Sequence, residues 1–130
     1  MKKYFLTLMV ACLFISCQKP NEIKITKIEG SPKYENSKIL GVDLNLDEEL
    51  EFSFELENYE LGIQTPNDFE YTLANSVKGQ HIHLIINNDP YSAHYSQKFK
   101  KKLSNGNNVI LAFLSRSYHE SLKNKNAFLF

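Results

Sequence analysis

Apolar and polar positions alternate with a period of two along much of this chain. Leu44 and Leu46 stand two apart, as do Leu50, Phe52, Phe54 and Leu56, and the residues between them are mostly acidic or polar. Successive side chains of an extended strand point to opposite faces, so the pattern predicts two strands with one buried face. Asp47-Glu48-Glu49 is the expected turn between them. A helix fits worse, because Phe52 and Phe54 would diverge by about 200° around its axis. His81-Ile82-His83-Leu84-Ile85-Ile86 is the clearest strand, and Val109 to Leu114 is a second, continuously apolar one. Ile23 to Ile28, Tyr91 to Tyr95 and Ala127 to Phe130 are predicted as shorter strands, while Phe69 to Val77 is ambiguous. Turn signals divide these segments at Thr65-Pro66-Asn67-Asp68, Asn87-Asn88-Asp89-Pro90, Ser104-Asn105-Gly106-Asn107-Asn108 and Lys123-Asn124-Lys125-Asn126. Strands and turns at this spacing predict a mainly β protein, with a small β-sandwich over residues 38–130. Ending on Phe128-Leu129-Phe130 suggests a last strand paired in the sheet, or a shortened version of a longer relative.

The first residues follow a different logic. Met1-Lys2-Lys3 is positively charged, and Tyr4 to Ile15 is an apolar run broken only by Thr7. Charge followed by a short apolar run is the order of a secretory signal, and the run is too short to cross a bilayer core, which needs about 20 residues. Leu13-Phe14-Ile15-Ser16-Cys17 resembles the lipobox of bacterial lipoproteins, with Phe14 where Leu is usual. The resemblance implies that residues 1–16 are a signal peptide and that the Cys17 thiol takes a diacylglycerol. Residues 17–37 would then be the lipidated N-terminus and tether. An ordinary signal peptide or a buried apolar strand is the alternative. The expected partner is the membrane, reached through a lipid anchor, since two or more acyl chains hold a protein stably where one does not. The expected address is the bacterial cell envelope, at the outer membrane, facing either the periplasm or the cell surface. Gln18-Lys19-Pro20-Asn21-Glu22 resembles the charged tract of surface-exported lipoproteins but is less acidic.

Cysteine and charge narrow the picture further. Cys12 would leave with the signal and Cys17 would carry lipid, so no intramolecular disulfide is expected and the fold must rest on its apolar core. Loss of Lys2 and Lys3 would tip a balanced 15 against 15 charges slightly acidic. A nucleic-acid partner, which favours a strongly basic domain, is therefore not expected. Charge is segregated, however. Residues 43–60 hold eight acidic side chains and no Lys or Arg, whereas Lys98, Lys100, Lys101 and Lys102 form the opposite cluster. These predict two solvated faces or one complementary contact. The acidic stretch lacks the glycine-containing loop of an EF-hand, so calcium is not expected.

Candidate chemistry gathers around four histidines. His81 and His83 share a face of their strand, about 7 Å apart along it. A strand H-x-H pair presents two imidazoles to one metal, here copper or zinc, with His94 and His119 as candidate further ligands. The other reading makes them polar residues that bond to Tyr91, Tyr95 or Tyr118, with no cofactor. Arg116, the single arginine, with Ser115, Ser117 and His119, would be an anion site, since the guanidinium fork matches phosphate. The alternative is an ion pair with Glu120. Ser115, Ser117, His119 and Glu120 are types that catalysis uses, but no motif orients them, so no enzyme is expected. The protein or small-ligand partner of the domain is left open.

Residues Gly79 to Tyr91, Leu103 to Gly106, Val109 to Ser117 and Tyr118 to Ser121 resemble a group of small, uncharacterised bacterial lipoproteins, some labelled phosphopeptide-binding. The His-x-His-Leu strand and the Asn-Asp-Pro-Tyr turn also look like the DUF4399 type of secreted β domain, although its extra histidines are absent. The likeness covers roughly residues 77–130. It implies an immunoglobulin-like or cupredoxin-like sandwich and little about activity.

Overall fold

A computed structural model describes residues 23–25, 27, 29–46, 50–69 and 72–130 of the chain. Seven strands and one short 3-10 helix follow in order: β1 (Lys38–Leu46), β2 (Leu50–Glu57), β3 (His81–Ile86), β4 (Ser92–His94), β5 (Lys98–Lys100), β6 (Ile110–Ser115), the helix Lys125–Ala127, and β7 (Phe128–Leu129). They form two antiparallel sheets, one in the order β1-β2-β5 and the other in the order β4-β3-β6-β7. The protein is mainly β, a small β-sandwich, as the alternation of its residues predicts. None of the helices among the described residues is long and apolar enough to cross a membrane.

The period-two pattern explains how the sheets meet. Leu50, Phe52 and Phe54 of β2 turn inward, and Phe99 of β5, opposite Phe52 in the register, stacks on both phenylalanine rings at 5.5 and 5.8 Å. The second sheet answers with Ile82, Leu84 and Ile86 of β3, and with Ala112 and Leu114 of β6. Leu122 and Ala127 fill the same core. Burying a side chain such as Phe52, which is fully enclosed, contributes about 2–3 kcal/mol. Leu44, on the same face as Phe52 in the alternation, is instead half exposed, because β1 is an edge strand of its sheet.

Several expectations change on contact with the fold. Of the strand expected over Ile23 to Ile28, residues 23–25 and 27 carry no strand pairing and Ile23 and Ile25 stand exposed, while Thr26 and Ile28 lie outside the described residues. Residues 72–76 are irregular. The C-terminal strand is only Phe128–Leu129, preceded by the 3-10 turn whose backbone Asn124 caps. Lys98–Lys100 forms a strand that the apolar pattern did not announce. It lies beside β2, with Lys100 opposite Glu51 and Lys98 opposite Ser53, and among the described residues no ion pair joins the two charged segments. The signal segment, Cys17 and the Asp47–Glu49 turn lie outside the described residues, although Leu46 and Leu50 pair on either side of that turn.

The segment just before β1 packs on the sandwich. Tyr34 meets Tyr59 edge to face at 5.4 Å, and its hydroxyl donates to Gln80 Oε1 at 2.6 Å. Ser37 Oγ donates to the Asn58 carbonyl at 2.6 Å, and Asn124 donates to the Tyr34 carbonyl at 2.9 Å. The tether assigned to residues 17–37 is therefore docked along its final residues.

Candidate metal centre

The face of β3 turned away from the core carries the two strand histidines. With Ile82 and Leu84 inward, the pleat sends His81 and His83 outward, opposite Ser115 and Phe113 of β6. Outward is not solvent here. His81 is wholly buried and His83 is 5% exposed. Tyr91 stacks on His83 at 4.1 Å, Phe113 meets it edge to face at 5.0 Å, and Tyr95 lies 5.1 Å from His81. Ser76 and Tyr95 share a hydroxyl hydrogen bond of 2.8 Å, which fixes that tyrosine over the cluster.

Gly79 orients the first imidazole. His81 Nδ1 lies 2.8 Å from the Gly79 carbonyl, an acceptor only, so Nδ1 carries the proton and Nε2 keeps its lone pair. That Nε2 is 2.7 Å from His83 Nε2. Gly79 holds its place through a φ of +86°, with Gly62 and Ile63 drawn against it by the bonds Gln80 N–H to Ile63 O (2.7 Å) and Gly62 N–H to Gln80 O (2.9 Å).

His119 reaches the pair from a tight turn. Its N–H donates to the Arg116 carbonyl at 2.9 Å, and the Arg116 N–H donates to the Glu120 carbonyl at 2.9 Å. His119 sits at φ +65°, a left-handed conformation that costs a side-chain-bearing residue roughly 1–2 kcal/mol. Its ring stands 5.1 Å from that of His81 and 6.1 Å from that of His83. One ligand nitrogen from each of His81, His83 and His119 lies within 4.8 Å of the others. Two imidazole nitrogens on a tetrahedral zinc are about 3.3 Å apart, given bonds of about 2.0–2.1 Å. Closing on an ion would thus part the His81–His83 contact by roughly half an ångström and draw His119 inward.

The electrostatics favour neutral rings. Burial lowers the pKa of His81, partly offset by the Gly79 hydrogen bond, and the nearby His119 adds a smaller downward push. Burial, then His81 and His119, brings His83 down to about 4. Both rings are therefore unprotonated at neutral pH, the form that binds metal.

The other candidate residues do not join them. His94 pairs with Ile82 in the register, so its side chain falls on the core face, across the pleat from His81 and His83. There it stacks on Phe99 at 3.5 Å and bonds Ser92 at 2.9 Å, and burial lowers its pKa to about 4. As a fourth ligand it is corrected to a rim residue of the core. Arg116 is 3% exposed, and its guanidinium donates to the carbonyls of Pro32 and Ser121 and lies 3.7 Å from Glu120. Ser115 Oγ donates to the Arg116 carbonyl, while Ser117 Oγ accepts from Thr65 N–H. Both serines are fully buried, so the three residues form an internal brace rather than an anion site. Glu120, a neighbour that the chain order brings near the histidines, is held by Ser31. Gly79 was the part that residue type alone did not reveal, while Tyr91 and Tyr95, expected as hydrogen-bond partners, meet the histidines through ring contacts instead. The only signal was a glycine two places before an H-x-H strand.

No family model, curated protein or solved structure matches this chain.

Proposed function

We propose that this protein is a lipoprotein of the bacterial envelope, anchored through Cys17, whose sandwich domain binds a zinc or copper ion between His81, His83 and His119. The observation that carries the metal reading is the convergence of three imidazoles, two of them buried, within 4.8 Å of one another. Imidazole suits both ions, and three protein ligands leave a coordination position for an exchangeable group, as a carrier or delivery role needs. The Gly79 carbonyl behind His81 supports the same reading, because a fixed far nitrogen is the usual partner of a metal-bound histidine. The test is calorimetric titration of zinc and copper into the lipid-free domain at pH 7.5. Saturable binding of one ion per chain is expected, and it should vanish when His81 and His83 are both replaced by Ala while the circular dichroism spectrum stays β. Heat no greater than dilution for both metals would refute the metal reading.

A further inference from the structure

Beside the histidine cluster lies an open cavity of about 690 Å³. Leu73, Ala74 and Tyr118 give it an apolar wall, Lys27, Lys123 and Glu120 give it charge, and His119 borders it. His119 thus belongs both to the triad and to the cavity, so one side chain connects an ion at the triad with a molecule in the cavity. Volumes of this order, mainly apolar with a few polar groups, are those that small ligands fill.

The charges around it decide the ligand's sign. Imidazole binds metal in its uncharged form, so three such ligands leave a divalent ion's charge uncompensated. Glu120 offers little compensation, since Ser31 and Arg116 already engage its carboxylate. Lys27 lies 3.8 Å from Glu29. Lys123 bonds the Ser121 hydroxyl at 3.0 Å, and among the described residues it has no carboxylate within ion-pair distance. An excess of positive charge therefore meets an apolar wall.

We infer that this cavity takes a small organic carboxylate with an apolar body, whose carboxylate completes the coordination of the ion held by His81, His83 and His119. The inference rests on the metal reading above. The anionic end faces the ion and Lys123, and the apolar body lies along Leu73, Ala74 and Tyr118. A bare acetate satisfies only the first half of that site, so affinity rises with the apolar part of the ligand.

The test loads the protein with cobalt(II), whose visible spectrum reports its coordination, and titrates benzoate and acetate separately. A saturable spectral change is expected with both, with benzoate tighter than acetate by about tenfold or more from the extra apolar area it buries. On cobalt-saturated Lys123→Glu protein, the benzoate midpoint should move to about tenfold higher concentration. Cobalt binding with no benzoate-dependent change, or with benzoate and acetate equal, overturns this inference and leaves the metal reading standing. An unmoved benzoate midpoint in Lys123→Glu overturns the role of that lysine and the orientation assigned to the carboxylate. If cobalt does not bind, the same titrations are read on the copper(II) protein, whose visible band also reports coordination, and failure of cobalt, zinc and copper alike overturns both readings together.

Discussion

Replacing Gly79 by Ala should damage stability and metal affinity together, through one added methyl group. A Cβ at that position would sit 2.4 Å from the Ile63 carbonyl oxygen, 2.6 Å from the carbon of the same carbonyl and 2.8 Å from the Gly62 carbonyl carbon. All three atoms are backbone, held close by the two hydrogen bonds that pair Gln80 with Gly62 and Ile63. Gly106 supplies the control. Its φ of +94° resembles the +86° of Gly79, but a Cβ there would meet nothing within 4 Å. Gly106→Ala therefore carries only the left-handed penalty, roughly 1–2 kcal/mol. Gly79→Ala carries the same penalty plus a steric cost of about 1–3 kcal/mol, of the size that overpacking incurs. Relief of the clash must also shift the carbonyl that fixes the His81 tautomer, which should weaken zinc binding about tenfold or more. Urea unfolding followed by circular dichroism gives the first quantity, and calorimetric zinc titration gives the second. Equal stability losses in the two variants, with zinc affinity unchanged in both, would show that Gly79 neither crowds Ile63 nor orients His81.

Acid should destabilise the metal-free protein. His83 titrates near 4 when folded and near 6.5 when unfolded, so its contribution is fully present above about pH 6.5 and is lost as the pH falls toward 4, by roughly 3 kcal/mol in all. In EDTA, His83→Gln should shrink but not abolish the wild-type difference in urea midpoint between pH 7.5 and pH 5, because buried His94 and His81 are lowered as well, and an unchanged difference would rule His83 out as a source of it. His119→Gly should raise the melting temperature slightly, since it relieves a left-handed residue, yet lower zinc affinity at least about tenfold; undiminished zinc binding would remove His119 from the site. Cys17→Ala should abolish incorporation of labelled acyl chains and release the protein from membranes, and continued labelling would exclude the lipid anchor.

The fold was legible where burial is one-sided. Leu50, Phe52 and Phe54 alternate because β2 has one face in the core, and β3 was clear because six strand-forming residues run between turn signals. β5 was hidden because Lys98-Phe99-Lys100 places one apolar residue inward, too few to show a period. The site was legible only in part. The pleat alone puts His81 and His83 on one face, but chain order made His94 and His119 look equivalent. The register separates them, since His94 falls opposite inward-facing Ile82, whereas His119 returns over the outer face on a turn that no strand pattern encodes. Arg116 was legible in part. Its ion pair with Glu120 was one of the two readings and is present at 3.7 Å, but its other partners are the carbonyls of Pro32 and Ser121, and residue identity does not reveal a backbone oxygen.

The small strand β5 also has a consequence for self-association. It forms one outer border of its sheet, where unsatisfied backbone groups invite another chain to add on. It offers only three residues, two of them exposed lysines, with Lys101 following at once. A second copy docking there in antiparallel fashion would bring its own lysines against these, in a row too short for backbone hydrogen bonds to outweigh the repulsion. The strand that completes the sheet beside β2 through its backbone thus also keeps that sheet from growing on its outer side through its lysines.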